Sequence, residues 1–366
     1  VISAESLRLG QLPHNVLADL AAQLCSESPA LQAAAEECMA AHTPLQHEMV
    51  ERVLLSPDLV PAILGPLEAE DGAAAAVCSQ WLVGWKATNE PRRRLKQVPL
   101  DFPEELVTCG MAMAGTPDGR LVVCDGSEVR ILDRSMRVLQ TVACESDEDL
   151  IAASDDSIFH CVYEGLHRSS HDGTLAAEYQ LEYQLFYGPV LAPGGLLFCV
   201  IFIAGDGDPD QDEIIALDAQ TLQLRHRFGL GLLNDAHQLV VVADELYVCD
   251  TGNDRLQVFS LTGEHRRSIT GEWRSPESLC FAKDRLYLVE KGRGGNEDED
   301  ADEFQGRLLV LSLQGDLLQV VTHPTEPRAV FSSICCFDRK LLASYRCREP
   351  AAGTGWKHGG LALQGL

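Results

Sequence analysis

The residues whose type and spacing first suggest chemistry are carboxylates. Asp206, Asp208, Asp210, Asp212 and Glu213 form one acidic run, and Glu297, Asp298, Glu299, Asp300, Asp302 and Glu303 form another. A hard divalent cation needs several oxygen ligands converging on one point. The spacing Asp206-x-Asp208-x-Asp210 matches the opening of a calcium loop. Gln211, however, stands at the sixth position where glycine is required, and Leu217 at the twelfth where glutamate is required. Asp149, Asn234, His237 and Glu277 could supply oxygen or nitrogen to a central cation, but they form no recognisable set, and two of them read equally well as turn caps. There is no G-x-S-x-G nucleophile elbow, no phosphate loop and no C-x-x-C pair. The expectation is a non-catalytic chain with no cofactor and no metal.

The elements that would position these residues change in texture once, near residue 95. Before it, apolar residues recur at helical spacing. Leu12, Val16, Leu17, Leu20 and Leu24 share one face, an alanine-rich segment covers 31–41, and further helices are predicted within 53–67 and 73–85. After it, short apolar runs are punctuated by Gly and Asp with a period of roughly 40–50 residues, as in propeller blades. The second strand of each repeat is the clearest: 121–124, 157–163, 196–204, 246–249, 286–290 and 341–345. Third strands are predicted at 129–132, 214–217, 256–259 and 308–311, followed by turns with Gly173, Gly263 and Gly315, where a positive φ is cheap. The last repeat lacks a fourth strand, and 98–102 is the spare strand expected to complete it and close the ring.

The net charge is −26, and most of it lies after residue 100, where 43 acidic residues outnumber 22 basic ones. Such a surface repels phosphate backbones and anionic lipid and favours basic protein partners. Neither nucleic acid nor membrane is expected, and no run approaches the roughly 18 apolar residues of a spanning helix. The 13 cysteines show no repeated spacing, and Cys109, Cys124, Cys199, Cys249 and Cys280 lie in apolar runs, with Cys335-Cys336 a bare doublet in an apolar strand. They read as buried free thiols of a reducing compartment, cytoplasmic or nuclear. The first residue is Val1 and not Met, so a native N-terminus, and any signal on it, is not assumed to be included.

One local pattern is sharp. Asp250-Thr-Gly252-Asn253-Asp-Arg255 joins Leu246–Cys249 to Leu256–Phe259. It resembles the NHL repeat, in which Asp, Asn and Arg surround the turn between second and third strands. Asp250 can accept turn amides, Gly252 and Asn253 can enter the left-handed region, and Arg255 can pair back to Asp250. These are structural roles. Asp125-Gly126 with Arg130, and Glu290 in the aspartate's place, are weaker versions. Some six-bladed propellers of related type are calcium-dependent hydrolases, which keeps an enzyme as the second alternative.

The N-terminal part resembles an F-box. Leu12, Pro13, Val16, Leu20 and Leu24 match its opening, and Leu55, Pro57, Leu59, Ile63, Leu64, Leu67, Asp71, Val77, Cys78 and Trp81 match its remainder, with Pro57 displaced by one place and Gly72 in place of a leucine. The resemblance implies docking onto the Skp-type adaptor of a cullin ubiquitin ligase, through Leu12, Pro13, Val16, Leu17, Leu55, Pro57, Leu59 and Trp81. The expected whole is mainly β: a helical F-box-like domain at 1–90, a basic linker at 91–97, and a six-bladed β-propeller at 98–366. In that reading the chain recruits a basic protein or peptide to the ligase. The target-binding face comprises Asp206, Asp208, Asp210, Asp212, Glu297, Asp298, Asp300 and Trp356, with Arg346, Arg348 and Lys357 beside them. The first alternative is a propeller scaffold without a ubiquitin role.

Overall fold

A computed structural model describes residues 60–64, 81, 83, 84, 86, 94–98, 112–124, 127–143, 151–162, 165–180, 184–203, 211–291, 306–323, 329–348 and 356–364; at 62–63, 184–186, 203, 211, 348 and 356–358 it describes the backbone alone. The chain divides into two units, with main spans Val1–Leu95 and Lys96–Gln364.

The second unit is a ring of six four-stranded antiparallel sheets. Blade 1 holds β2 (Ala112–Gly115), β3 (Leu121–Cys124), β4 (Glu128–Leu132) and β5 (Val138–Ala143). Blade 2 holds β6 (Ile151–Ala153), β7 (Ser157–Val162), β8 (Gly165–Ser170) and β9 (Leu175–Gln180), and blade 3 holds β10 (Gln184–Ala192), β11 (Leu196–Ile203), β12 (Gln211–Asp218) and β13 (Leu224–Leu233). Blade 4 holds β14 (Ala236–Val242), β15 (Glu245–Asp250), β16 (Arg255–Ser260) and β17 (His265–Thr270). Blade 5 holds β18 (Pro276–Ala282), β19 (Arg285–Glu290), β20 (Arg307–Ser312) and β21 (Leu317–Val321).

Blade 6 is built from both ends of the ring. β22 (Val330–Phe337), β23 (Lys340–Arg348) and β24 (Trp356–Gln364) are completed on the outside by β1 (Lys96–Val98). The closing strand pairs Lys96 with Gln364, Gln97 with Leu363 and Val98 with Ala362. The expected closure is therefore present, but its strand lies earlier than 98–102. Lys96 and Gln97, read as linker, belong to the sheet, because the buried neighbours Leu361–Leu363 end their run opposite them. The innermost strands also close on themselves: each of β2, β6, β10, β14, β18 and β22 packs against the next, and β22 against β2.

Middle strands are covered on both faces by neighbouring blades, so they read as continuous apolar runs rather than alternating ones. β3 and β19 are buried throughout, and β15 nearly so. Outer strands keep one face in water and alternate, as in β5 and β9. Apolar clusters join adjacent blades, such as Phe159, Leu197 and Ile215 between blades 2 and 3, and Val248, Phe259 and Leu239 with Phe198 and Ile214 between blades 3 and 4. Each fully buried Leu, Ile or Phe side chain contributes about 1.5–3 kcal/mol.

The outer hairpins repeat one turn, in which the third residue after Asp133, Ser170, Ser260 and Ser312 donates its N–H to that residue's carbonyl at 2.9, 2.9, 3.0 and 3.0 Å. Gly173, Gly263 and Gly315 take the left-handed conformation there, with φ of +86°, +90° and +93°. In blade 1 the place is held by Met136 at φ +59°. Its strain is offset by its buried side chain, packed with Leu132 and Leu342.

In the first unit, α1 (Val60–Leu64) is a five-residue helix within the span read as helical at 53–67. Val60, Leu64 and Trp81 are buried, and a Cβ on Gly84 would meet Val60 Cγ1 at 2.3 Å, so α1 packs directly on the segment carrying Trp81 and Gly84. Leu12, Pro13, Val16, Leu17, Leu55, Pro57 and Leu59 lie outside the described residues. Among the described residues no helix is long and apolar enough to cross a membrane.

Candidate functional site

In an antiparallel meander all first strands start, and all second strands end, on one face of the ring. Around the channel mouth on that face stand Asp235 and His237 at the start of β14, Tyr187 on β10, Glu277 on β18 and Lys291 just after β19. His237 Nε2 lies 3.3 Å from Asp235 Oδ1, its ring is 5.2 Å from that of Tyr187, and Lys291 Nζ lies 3.5 Å from Glu277 Oε1. Asp235 sits in a tight turn at φ +51° with its carboxylate largely in water. Its hydrogen bond with His237 lowers its pKa below the usual carboxylate value.

Burial works against a charged His237, but the Asp235 hydrogen bond, aided by the Asp235 and Glu277 charges, outweighs it and raises the histidine's pKa, Lys291 opposing. A histidine raised above its unfolded value of 6.5 contributes its full stabilisation below that pH and loses it as pH rises through the folded value. The His237 ring is therefore expected to titrate above 6.5 by NMR, and lower in Asp235→Asn than in the parent. An unchanged titration in that variant would remove the pairing.

Just below the mouth, buried carboxylates tie the strand ends together. Asp250, at 0% exposure, accepts from the Asn234 N–H at 2.8 Å, Asn253 Nδ2 at 2.9 Å and Arg255 Nε at 2.6 Å. Arg255 also donates to the Leu232 carbonyl at 2.9 Å. The Gln257 amide, turned so that both ends are satisfied, accepts from Arg255 and donates to His265 and Ser268. Thr251–Asn253 form a single 3-10 turn in which Asp254, not Gly252 or Asn253, takes the left-handed conformation at φ +53°. Gly252 is needed for a different reason: a Cβ there would lie 2.5 Å from Asn234 Nδ2. Glu290 repeats the arrangement in blade 5, pairing with Arg307 and accepting the Arg274 N–H at 2.9 Å.

Of the residues assigned to a target-binding face, Asp206, Asp208, Asp210, Glu297, Asp298 and Asp300 lie outside the described residues, and Trp356 is described as backbone at the start of β24. Asp212 is corrected. It is 2% exposed, and its Oδ2 accepts the Ala236 N–H at 2.5 Å across the gap between blades 3 and 4. Burial raises its pKa, with Asp235 and Asp250 adding to the effect. Glu213 is likewise occupied, 3.2 Å from Arg227 Nη1. Trp81, assigned to adaptor docking, is 4% exposed.

The residues considered for a central cation are placed as follows. Asp149 lies outside the described residues, His237 and Glu277 already have Asp235 and Lys291, and Asn234 O accepts the Gly252 N–H at 2.9 Å. Among the described residues no three His, Cys, Asp or Glu side chains come together in a way that could hold a metal. Tyr187, Asp235 and Lys291 were missed from the sequence. They come from three blades, and no local spacing links them.

Fold and mouth together define a six-bladed β-propeller, an architecture suited to protein–protein interaction. The chain resembles luciferin-regenerating enzyme (TM-score 0.53, 14% identity, covering 75% of this chain and 95% of that one). It also resembles a protein of unknown function from Bacteroides caccae (TM-score 0.50, 14% identity, 67% and 89%) and, more weakly, regucalcin, a calcium-binding protein from Agrobacterium tumefaciens (0.49, 16%, 69% and 89%). At these identities the likeness is one of fold alone. No protein-family model and no curated protein matches the sequence.

Proposed function

We propose that this chain is a non-catalytic recruiting subunit, in which the acidic end of the propeller binds a basic protein segment and the N-terminal helices dock the Skp-type adaptor of a cullin ubiquitin ligase. One observation carries the first half. The acidic segments 204–210 and 292–305 join β11 to β12 and β19 to β20, so both attach at the face that carries Asp235 and Glu277 around the channel mouth. A lysine- or arginine-bearing peptide meets there the charge that complements it, and the ring contributes proximity and orientation rather than acid–base chemistry. The second half is supported by the F-box-like residues Leu12, Pro13, Leu55 and Pro57 and by a small helical core around Val60, Leu64 and Trp81. No cofactor is required, and a cytoplasmic or nuclear setting suits the free cysteines.

The test is a pull-down of the tagged full chain from cell extract, scored for adaptor and cullin. Adaptor and cullin are expected to co-purify, and recovery is expected to fall at least tenfold with Leu12→Asp/Pro13→Ala. Recovery unaffected by that variant would overturn the adaptor half. The face is tested with Asp235→Lys/Glu277→Lys, which is expected to weaken capture of a lysine-rich peptide and reduce its salt dependence; unchanged capture would overturn that half. Adaptor loss with peptide capture intact would favour a plain scaffold. The hydrolase alternative would be favoured by stoichiometric calcium binding in calorimetry.

A further inference from the structure

We propose that Cys280 and Cys336 form a redox-active dithiol in the wall of the central channel, closed to a disulfide by a hydroperoxide and reopened by a small thiol. The two residues lie on the innermost strands of adjacent blades, β18 and β22, and their sulfurs are 3.3 Å apart. A disulfide needs about 2.05 Å, so the bond forms with a small rotation of either side chain. The strands are already pinned next to this place. The Ile334 N–H donates to Ser278 Oγ at 3.2 Å, and Ser278 Oγ donates to Gln238 Oε1 at 2.6 Å on the inner strand of blade 4. Stepping two residues along each parallel inner strand leads from Ser278 and Ile334 to Cys280 and Cys336.

Exposure singles out the same pair. Cys124, Cys161, Cys199, Cys249, Cys335 and Cys347 are buried, whereas Cys280 and Cys336 are the two described cysteines that keep partial exposure. The inner strands border the channel, and that is the side from which a small peroxide would approach the pair. Burial, reinforced by the Cys336 contact, holds the Cys280 thiol well above its ordinary pKa. The pair is consequently slow to oxidise, and the dithiol persists under reducing conditions.

The step balances. One sulfur attacks the peroxide oxygen and becomes a sulfenic acid as its proton leaves on the released water or alcohol. The second thiol sulfur displaces the sulfenic hydroxyl, which departs with the second proton as water. Two electrons pass from the sulfur pair to the O–O bond. The product ties blade 5 to blade 6 across their innermost strands.

The test exposes the full chain to hydrogen peroxide, alkylates it after unfolding, and maps thiols by mass spectrometry. Cys280 and Cys336 are expected to lose alkylation together, with a linked peptide joining them that dithiothreitol reverses. The same linkage is expected in Cys335→Ser, whereas Cys336→Ser leaves a dimedone-reactive Cys280 and no link. The proposal fails if both cysteines stay alkylatable under a large peroxide excess held well beyond the time that fully oxidises glutathione. It also fails if the link joins Cys335 to Cys336 or joins two chains.

Discussion

Asp250→Ala is expected to destabilise the ring by about 3–5 kcal/mol, the cost of breaking a buried ion pair from one side. The carboxylate is fully buried and holds donors from three places: the Asn234 amide before β14, the Asn253 side chain in the turn, and Arg255 at the start of β16. Without it the guanidinium loses its counter-charge, and the Asn234 N–H loses its acceptor. Arg255 is part exposed, at 30% of its side chain, so water can recover some of its solvation. That places the loss toward the lower end of the range. Asp250→Asn preserves shape and one acceptor and is expected to cost less, about 2 kcal/mol, while Asn253→Ala removes a single hydrogen bond, about 1 kcal/mol. Urea unfolding would rank the three, and a double-mutant cycle with Arg255→Ala would isolate the pair term. An Asp250→Ala loss below 1 kcal/mol would mean that apolar packing between the blades, and not this tie, fixes the strand ends.

The same tie shows how far a sequence of this kind can be read. Asp250 and Arg255 are separated by one short turn, so spacing alone brings them opposite each other, as the register does. Glu290 stands in the equivalent place, but its partner Arg307 follows a long insertion, and only the pairing of β19 with β20 aligns the two. Second strands were legible because burial on both faces leaves uninterrupted runs such as Leu286–Val289. The turn glycines at 173, 263 and 315 were legible because each needs a positive φ. Met136 was not, since a methionine gives no sign of a left-handed turn until its side chain is seen in the core. Asp212 misled for the opposite reason. It ends an acidic run that reads as solvent-facing, yet β12 begins at Gln211, and the strand turns Asp212 toward the amide of Ala236. The channel mouth was half legible: His237 and Glu277 were placed near the centre by position, whereas Tyr187, Asp235 and Lys291 come from separate strand ends that no local spacing links.

Trp273→Ala is expected to be as costly as Asp250→Ala, about 3–5 kcal/mol, through a cavity rather than a charge. The ring of Trp273, 2% exposed, lies in the connection between β17 and β18 and packs with Ile269, Leu279, Leu309 and Leu311. Two glycines make room for it. A Cβ on Gly271 would come within 1.9 Å of Trp273 Cζ3, and one on Gly315 would lie 3.4 Å from Cη2 and 2.2 Å from Ile269 Cγ2. With glycines on those two sides no side chain can swing in from there, so the site collapses little when the indole is removed. The indole N–H meets no acceptor among the described residues, so a buried polar group is already unsatisfied. Trp273→Phe therefore loses volume but also removes that penalty, and its net cost is expected to be about 1–2 kcal/mol, well below that of alanine. Urea unfolding of the two variants side by side checks the argument. Equal losses would show that the indole nitrogen is satisfied after all, whereas a small loss in both would show that blades 4 and 5 can close over the gap.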